Sequence, residues 1–366
     1  MKFSELCRLL PGLDPSIPIF FLGAPGTGKS ALSREIAMLM GPKAVIVRRE
    51  LTGHLPEDMS GLPFREGKFT QFCPPDFLMR LAKGSGPDGS DPVGALILED
   101  ITQAQRAVQV ACFQLVQERS MGDIELSPNV RIILTGNRAN DKAGARELPS
   151  PLRNRVCILE LQPDLEEWMY WAGTQGLPGS VGGFLLYRPG FFSQLPGNGC
   201  KQNGQFATPR SWAAIGRVML TSPDKSPTGP MLSLFQGLVG EGVAAEFSMF
   251  LKLSATLPDP QAVLDNPEKA LPKPPTEPDK LAALVSGLGE FAAKSKHKDM
   301  PLKLLKALAY CSGTTREAAC AGIAVFQANK GSVTALVDAA TNNLKDAKTA
   351  DPRIRALIIH LTQSAT

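Results

Sequence analysis

The sequence predicts an α/β core, a parallel sheet flanked by helices, followed by a helical region and then by a further helical domain. Three observations predict it. Short apolar runs in "IPIFFLG", "ALILED" and "VRIILTGN" each stop at glycine or polar residues, as buried parallel strands do. An amphipathic segment, "KSALSREIAMLM", follows the first of them, as a crossover helix should. Beyond residue 281 the chain is rich in Ala and Leu at helical spacing.

Bulk properties set the frame. Of 366 residues, 43% are hydrophobic and 20% charged, an ordinary globular composition long enough for two or three domains. The 39 basic and 35 acidic residues nearly balance, and no Lys/Arg run concentrates the excess of +4, so nothing demands nucleic acid. The seven cysteines are scattered without a C-x-x-C, which points to reduced thiols in a cytoplasmic setting. The opening "MKFSELCRLLPGLDPSIPIFFLG" carries acids and prolines that suit a cleaved leader poorly. No apolar stretch approaches the roughly 20 residues of a membrane span.

The first element of consequence is Ile17 to Leu22, a short strand. Gly23-Ala24-Pro25-Gly26-Thr27-Gly28-Lys29-Ser30, continued by Ala31, matches G-x-x-x-x-G-K-[ST] in full. Glycines there let successive backbone N–H groups turn toward phosphate oxygens, and the following helix adds the partial positive charge of its N-terminus. Lys29 reaches terminal phosphates and the Ser30 hydroxyl is a magnesium ligand. Leu32, Ile36, Leu39 and Met40 give that helix its core face. ATP and Mg²⁺ are the cofactors this loop calls for.

A phosphate loop needs an acid at a neighbouring strand end, and "ALILED" supplies Glu99 and Asp100. Glu99 falls where a carboxylate orients Mg²⁺, and Asp100 where one polarises the attacking water. The usual order is Asp then Glu; here it is reversed. Val130 to Leu134 is the next strand, and Asn137 just beyond it can orient the water through its amide. "ELPSPLRNRVCILEL" then places Arg153 and Arg155 ahead of another strand, Val156 to Leu161. Arginines there serve either as surface ion pairs or as transition-state charge lent to a neighbouring subunit.

In order and spacing, "GAPGTGKS", "LILEDITQA", "LTGNR" and "LPSPLRNRV" resemble an AAA+ ATPase of the MoxR group, over about residues 17 to 255. The resemblance implies a P-loop NTPase core with a helical lid, and an arginine finger at Arg155 with Arg153 in reserve. It also implies a second sensor at Arg210, in "ATPRSW". A self-assembled ring, expected to be hexameric, and a protein client carrying a von Willebrand factor A-type domain follow from the same likeness. The acid order departs from the group's Asp-Glu, which puts metal binding and hydrolysis in question more than nucleotide binding.

The remaining elements complete the layout. "FREGKF" is a tight hairpin turning at Gly67, with Phe64, Lys68 and Phe69 as contact candidates, since the group's insertions face a pore or a partner. "RSMGDIEL" is a second hairpin near Gly122. His54 is a lone loop histidine, Trp168, Tyr170 and Trp171 are packing residues between core and lid, and "LPGNGCKQNGQ" is a loop. Seven prolines in "LPDPQAVLDNPEKALPKPPTEPDK" read as an extended linker or strap rather than a helix. The expected domains are therefore 1–162 for the nucleotide-binding core, 163–255 for the lid, 256–280 for the linker and 281–366 for the C-terminal helices.

Three functions compete at this point. An ATP-driven ring motor acting on a protein client uses every motif. A nucleic-acid motor or loader on the same core would want a basic stripe or a DNA-binding motif, which the sequence lacks. A nucleotide switch with weak hydrolysis would explain the reversed acids. A small-molecule kinase leaves Asn137, Arg155 and Arg210 unused, and no N-K-x-D supports a GTPase.

Overall fold

A computed structural model describes residues 1–141, 144–194, 204–222, 226–311, 316–329, 331–345 and 354. Most of "LPGNGCKQNGQ" and the last stretch of the expected C-terminal helices lie outside them. The chain forms two compact units, Met1–Pro163 and Asp164–Thr366.

The first unit is built on a five-stranded sheet in the order β2-β5-β8-β1-β9. Its strands are β1 (Ile19–Leu22), β2 (Val45–Glu50), β5 (Gly94–Glu99), β8 (Val130–Gly136) and β9 (Cys157–Glu160). Every pairing is parallel. β1 begins two residues later than its apolar run because Pro18 lacks the N–H a ladder needs, and Ile17 stays exposed. Strand alternation sorts the core into two layers. Ala95, Ile97, Ile133 and Phe21 pack with Leu32 and Ile36 of α2 (Lys29–Leu39) and with Leu6 of α1 (Phe3–Leu9). Leu96, Leu98, Ile132 and Leu134 face Val108, Cys112 and Leu115 of α5 (Arg106–Glu118) instead. β5 and β8 are buried along their whole length, so truncating Ile97 or Leu98 to Ala removes packing worth about 2–5 kcal/mol. On α2 only the Leu32 and Ile36 half of the expected face is buried; Leu39, on the last turn, is half exposed.

Both hairpins form. β3 (Leu62–Glu66) pairs antiparallel with β4 (Phe69–Cys73) around Gly67 at φ 64°, and β6 (Ser120–Met121) with β7 (Ile124–Glu125) around Gly122 at φ 57°. Two-residue turns of this kind need a left-handed backbone, which glycine adopts without steric cost. The short helices α3 (Pro56–Ser60), α4 (Asp76–Met79) and α6 (Ser150–Arg153) complete the unit.

The second unit is helical: α7 (Leu165–Thr174), α8 (Gly179–Tyr187), α9 (Pro209–Thr221), α10 (Pro230–Val239) and α11 (Glu241–Ala255) come first. They are followed by α12 (Pro260–Asp265), α13 (Pro267–Ala270), α14 (Pro278–Lys294), α15 (Met300–Cys311), α16 (Arg316–Ala328) and α17 (Val333–Lys345). An aromatic cluster centres on Phe184, with Phe247 at 5.1 Å and Trp212 at 5.6 Å between ring centroids. Of the expected aromatic trio only Trp168 is buried, in this unit's own core; Tyr170 and Trp171 are exposed. The sequence divides this region into lid, linker and C-terminal domain. In the structure α14 packs on both α8 and α16, crossing α16 closely enough that a Cβ on Gly289 would stand 2.3 Å from the Gly322 carbonyl oxygen.

The proline-rich stretch is not wholly extended, and the expectation that it holds no helix is corrected. α12 and α13 each start on a proline, whose fixed φ and missing N–H suit a first helical position. Val263, Leu264 and Leu271 are buried against the C-terminal helices, and the Tyr310 hydroxyl donates to the Leu271 carbonyl at 2.7 Å. Among the described residues no helix is long and apolar enough to cross a membrane.

Candidate functional site

The carboxyl ends of β1, β5 and β8 lie side by side, and the sequence sets a functional group on each. After β1 the chain turns through Gly26 at φ 78° and Gly28 at φ 98°, left-handed conformations that glycine alone adopts freely. Gly23 is required for a different reason. A Cβ there would stand 2.8 Å from the Leu161 carbonyl oxygen, so the loop's first residue passes flush against the end of β9. The Thr27 hydroxyl donates to the Ala24 carbonyl at 2.9 Å and closes the loop on itself.

Lys29 is buried at the head of α2. Its ammonium donates to the carbonyls of Gly23 at 2.9 Å and Ala24 at 2.8 Å, and to Asn137 Oδ1 at 2.8 Å. The lysine thus spans the rim from the loop to the end of β8, and incoming phosphate oxygens would take over from loop carbonyls as its acceptors. Ser30 follows in the helix's first turn and is partly accessible.

Glu99, the last residue of β5, is 3% exposed. Its Oε2 accepts from Arg48 Nε of β2 at 2.7 Å, while Oε1 is buried and has no hydrogen-bond partner among the described residues. A half-satisfied buried carboxylate is costly, which makes the bare oxygen the position that a cation or its water shell fits. Glu99 would thus be able to hold Mg²⁺ beside a bound nucleotide, with Ser30 of the loop the other expected ligand, and the bare oxygen of Glu99 is the observation that supports that fit.

Asp100 leaves the strand with φ 55°, and its amide donates to Thr135 Oγ1 at 3.1 Å. Asn137 is 6% exposed, and its backbone N–H donates to Thr102 Oγ1 at 2.9 Å. Beside it, Arg138 bonds Asp141 at 3.0 Å and Glu160 at 2.6 Å, tying the exit of β8 to the end of β9. Those acids hold the Arg138 guanidinium above its ordinary pKa, the Asp141 hydrogen bond first.

Arg153 and Arg155 are not brought to this rim. Arg155 precedes Cys157, which is in register with Ile19 at the amino end of β1, whereas the phosphate loop leaves the carboxyl end. The strand between them, four residues at about 3.3 Å each, separates the two by ~10 Å or more. Arg155 instead donates to the Pro151 carbonyl at 2.9 Å and lies over the Phe113 ring of α5, 5.3 Å from its centroid. Arg153 is exposed and pairs loosely with Glu147 at 4.0 Å. Arg210 belongs to the helical unit, exposed in the first turn of α9, where Thr208 caps the helix by accepting the Ser211 amide.

Residues 18–156 match the AAA domain of the dynein-related subfamily. Over those residues the fold is that of an AAA+ P-loop NTPase, a parallel sheet flanked by helices. Solved structures of two Thermotoga maritima RuvB mutants are similar to the chain at 16% identity. They cover 78% and 79% of this chain and 79% and 80% of their own, with TM-scores of 0.38 and 0.37. No curated protein matches the sequence significantly.

Sequence reasoning missed Arg48, Thr102, Thr135 and Gln109 as members of the AAA+ rim. Thr102 lies in "LILEDITQA" and Thr135 in "LTGNR", and the local signal is a hydroxyl within an otherwise apolar strand or strand end. Gln109 is fully buried and donates to the Ile101 carbonyl at 2.8 Å, bracing the turn that follows the acids. Arg48 carried no local signal, because only strand register brings it to Glu99.

Proposed function

We propose that this chain is an ATP-hydrolysing AAA+ motor of the MoxR group that works as a ring, expected to be hexameric, on a protein client. One observation carries the reading: Lys29, Glu99, Asp100 and Asn137 share one rim, at the carboxyl ends of three adjacent strands. Lys29 binds the terminal phosphates. Ser30 and Glu99 hold Mg²⁺, which when bound neutralises phosphate charge. Asp100 and Asn137 orient the attacking water, one by its carboxylate and one by its amide.

Arg155 acts on a neighbouring subunit's nucleotide, with Arg153 in reserve. Its place at the opposite end of the sheet from its own phosphate loop supports action in trans. Arg210 couples the helical unit to the γ-phosphate. The exposed β3–β4 hairpin, with Phe64 and Phe69 46% and 76% exposed, grips the client together with Lys68. The client class, a protein with a von Willebrand factor A-type domain, rests on the sequence resemblance alone.

The test is ATP turnover by the purified protein and by Asp100→Asn over a range of protein concentrations. The expected result is specific activity that rises with concentration, nearly abolished by the substitution while ATP still binds. Equal turnover by the two proteins would remove Asp100 from the mechanism. Activity independent of concentration would remove the ring.

A further inference from the structure

The two water-orienting groups of the proposed reaction stand just past the ends of different strands, so something must fix the distance between them. The β5–β8 ladder cannot, since its register stops at Leu98 opposite Leu134, before either group is reached. Beyond that point the connections are crosswise. The amide of Asp100 donates to the hydroxyl of Thr135 on β8, and the amide of Asn137 after β8 donates to the hydroxyl of Thr102 in the acid turn. Between these two ties the Ile101 amide donates to the Thr135 carbonyl at 2.9 Å.

Both threonines are buried, Thr135 at 0% and Thr102 at 2% exposure, so neither hydroxyl is a surface ornament. Thr102 is also held sterically: a Cβ on Gly136 would stand 2.7 Å from its Cγ2 and 2.8 Å from its Oγ1. From behind, the Arg146 amide donates to the Thr102 carbonyl at 2.7 Å. The left-handed backbone at Asp100 persists only if its surroundings over-determine it, and these contacts do so.

We propose that Thr102 and Thr135 are positioning residues for ATP hydrolysis, setting the Asp100 carboxylate against the Asn137 side-chain amide by holding the two residues' backbone N–H groups in this pair of crossed hydrogen bonds. The inference rests on the hydrolysis reading given above. Neither threonine touches substrate; each acts through the backbone of its partner. Small displacements matter at such a site, because misplacing a reacting group by about 1 Å costs on the order of 10²-fold in rate.

Thr102→Val and Thr135→Val remove each hydroxyl at nearly constant shape, and Thr→Ser at either position keeps it. Steady-state turnover, KM and the affinity for a fluorescent ATP analogue are measured on each, with urea unfolding as the stability control. Each Val variant is expected to lose roughly 10- to 100-fold in kcat with KM and nucleotide affinity within about twofold. The Ser variants are expected to restore kcat. The double Val variant is expected to be no slower than the worse single, since both ties hold one geometry. If a Val variant fails to fold, Thr102→Ala or Thr135→Ala removes the same hydroxyl without the added methyl and carries the test. Wild-type kcat in Val variants that have lost only stability would overturn the positioning role while leaving the hydrolysis reading intact. A wild-type protein that binds ATP without turning it over would overturn both.

Discussion

Replacing Gly136 by Ala adds a methyl group where the structure leaves no room. The new Cβ would meet Thr102 Cγ2 at 2.7 Å, Thr102 Oγ1 at 2.8 Å and Phe20 Cε2 at 3.0 Å. Gly136 has no left-handed φ, so backbone strain adds nothing and the cost is steric. Both γ substituents of Thr102 are in the way, so turning about χ1 exchanges one clash for the other. Overpacking a close-packed interior costs roughly 1–3 kcal/mol. Thr102→Ala alone loses a hydrogen bond and leaves the Asn137 amide unpaired, about 1–3 kcal/mol. In the double variant both Thr102 atoms are gone and only the Phe20 contact at 3.0 Å is left, so it should be more stable than the sum of the singles predicts, by about 1–2 kcal/mol. The probe has to be chosen with care. All three tryptophans and all three tyrosines lie beyond residue 163, so their fluorescence reports the helical unit alone. Amide exchange of β5 and β8 peptides in urea reads the AAA+ unit directly. Additivity within ~0.5 kcal/mol would refute the argument, because the crowding at Gly136 would then be relieved somewhere other than Thr102.

Five further outcomes are expected. Lys29→Met should weaken binding of a fluorescent ATP analogue by about 10²-fold or more, since it deletes the charge that meets the phosphates; titration of the purified variant checks it. Arg48→Met should destabilise β5 by ~1–3 kcal/mol in amide exchange, below the range for a fully buried pair because Arg48 is half exposed, and Glu99→Gln in the same chain should recover part of the loss. Exchanging the acids, Glu99→Asp with Asp100→Glu, should cost about 1 kcal/mol or more by the same assay, because a longer side chain is then forced into the left-handed conformation. Burial pushes the Cys112 and Cys311 thiols up to about 12, so at pH 8 iodoacetamide should label exposed Cys73 and Cys157 while sparing both. A thiol with a raised folded pKa contributes its full stability below its unfolded value near ~8.5 and loses it as pH rises toward 12, so unfolding free energy should fall above about pH 9.

What the sequence revealed and what it hid divide along one physical line. A phosphate loop is local chemistry: its glycines, lysine and serine are consecutive, and the left-handed turns at Gly26 and Gly28 are dictated residue by residue. The hairpins at Gly67 and Gly122 are local for the same reason. The place of Asn137 at the rim is legible because a polar residue at a strand end needs only the strand to be recognised. The Arg48–Glu99 pair depends instead on which strands become neighbours and in what register, with Arg48 opposite Ile97 and Glu50 opposite Glu99. The crossed threonine ties likewise exist only once β5 lies beside β8. The proline-rich stretch misled for a third reason. Proline opposes helix interiors but favours helix starts, and α12 and α13 each begin on one.

The order of the two acids, longer first, finds its explanation in the backbone. Asp100 adopts φ 55°, a region that Asp and Asn enter more readily than longer side chains because their short polar groups bond locally. The left-handed position therefore favours the shorter acid. Glu99 is still in the strand, where its extra methylene carries no such penalty and lets Oε2 bend back to Arg48 on β2. That bond fixes one oxygen and leaves the other buried and bare, which costs about 1–3 kcal/mol unless a ligand completes it. Under the proposed reading, a nucleotide arriving with its cation would remove that cost, and the longer acid would tie the site's resting stability to its occupancy. Glu before Asp is thus the arrangement that this turn geometry prefers, and the reversed order is no argument against hydrolysis. On the proposed reading it is the charge of Asp100, whose backbone is tied to Thr135 of β8, that turnover by Asp100→Asn tests.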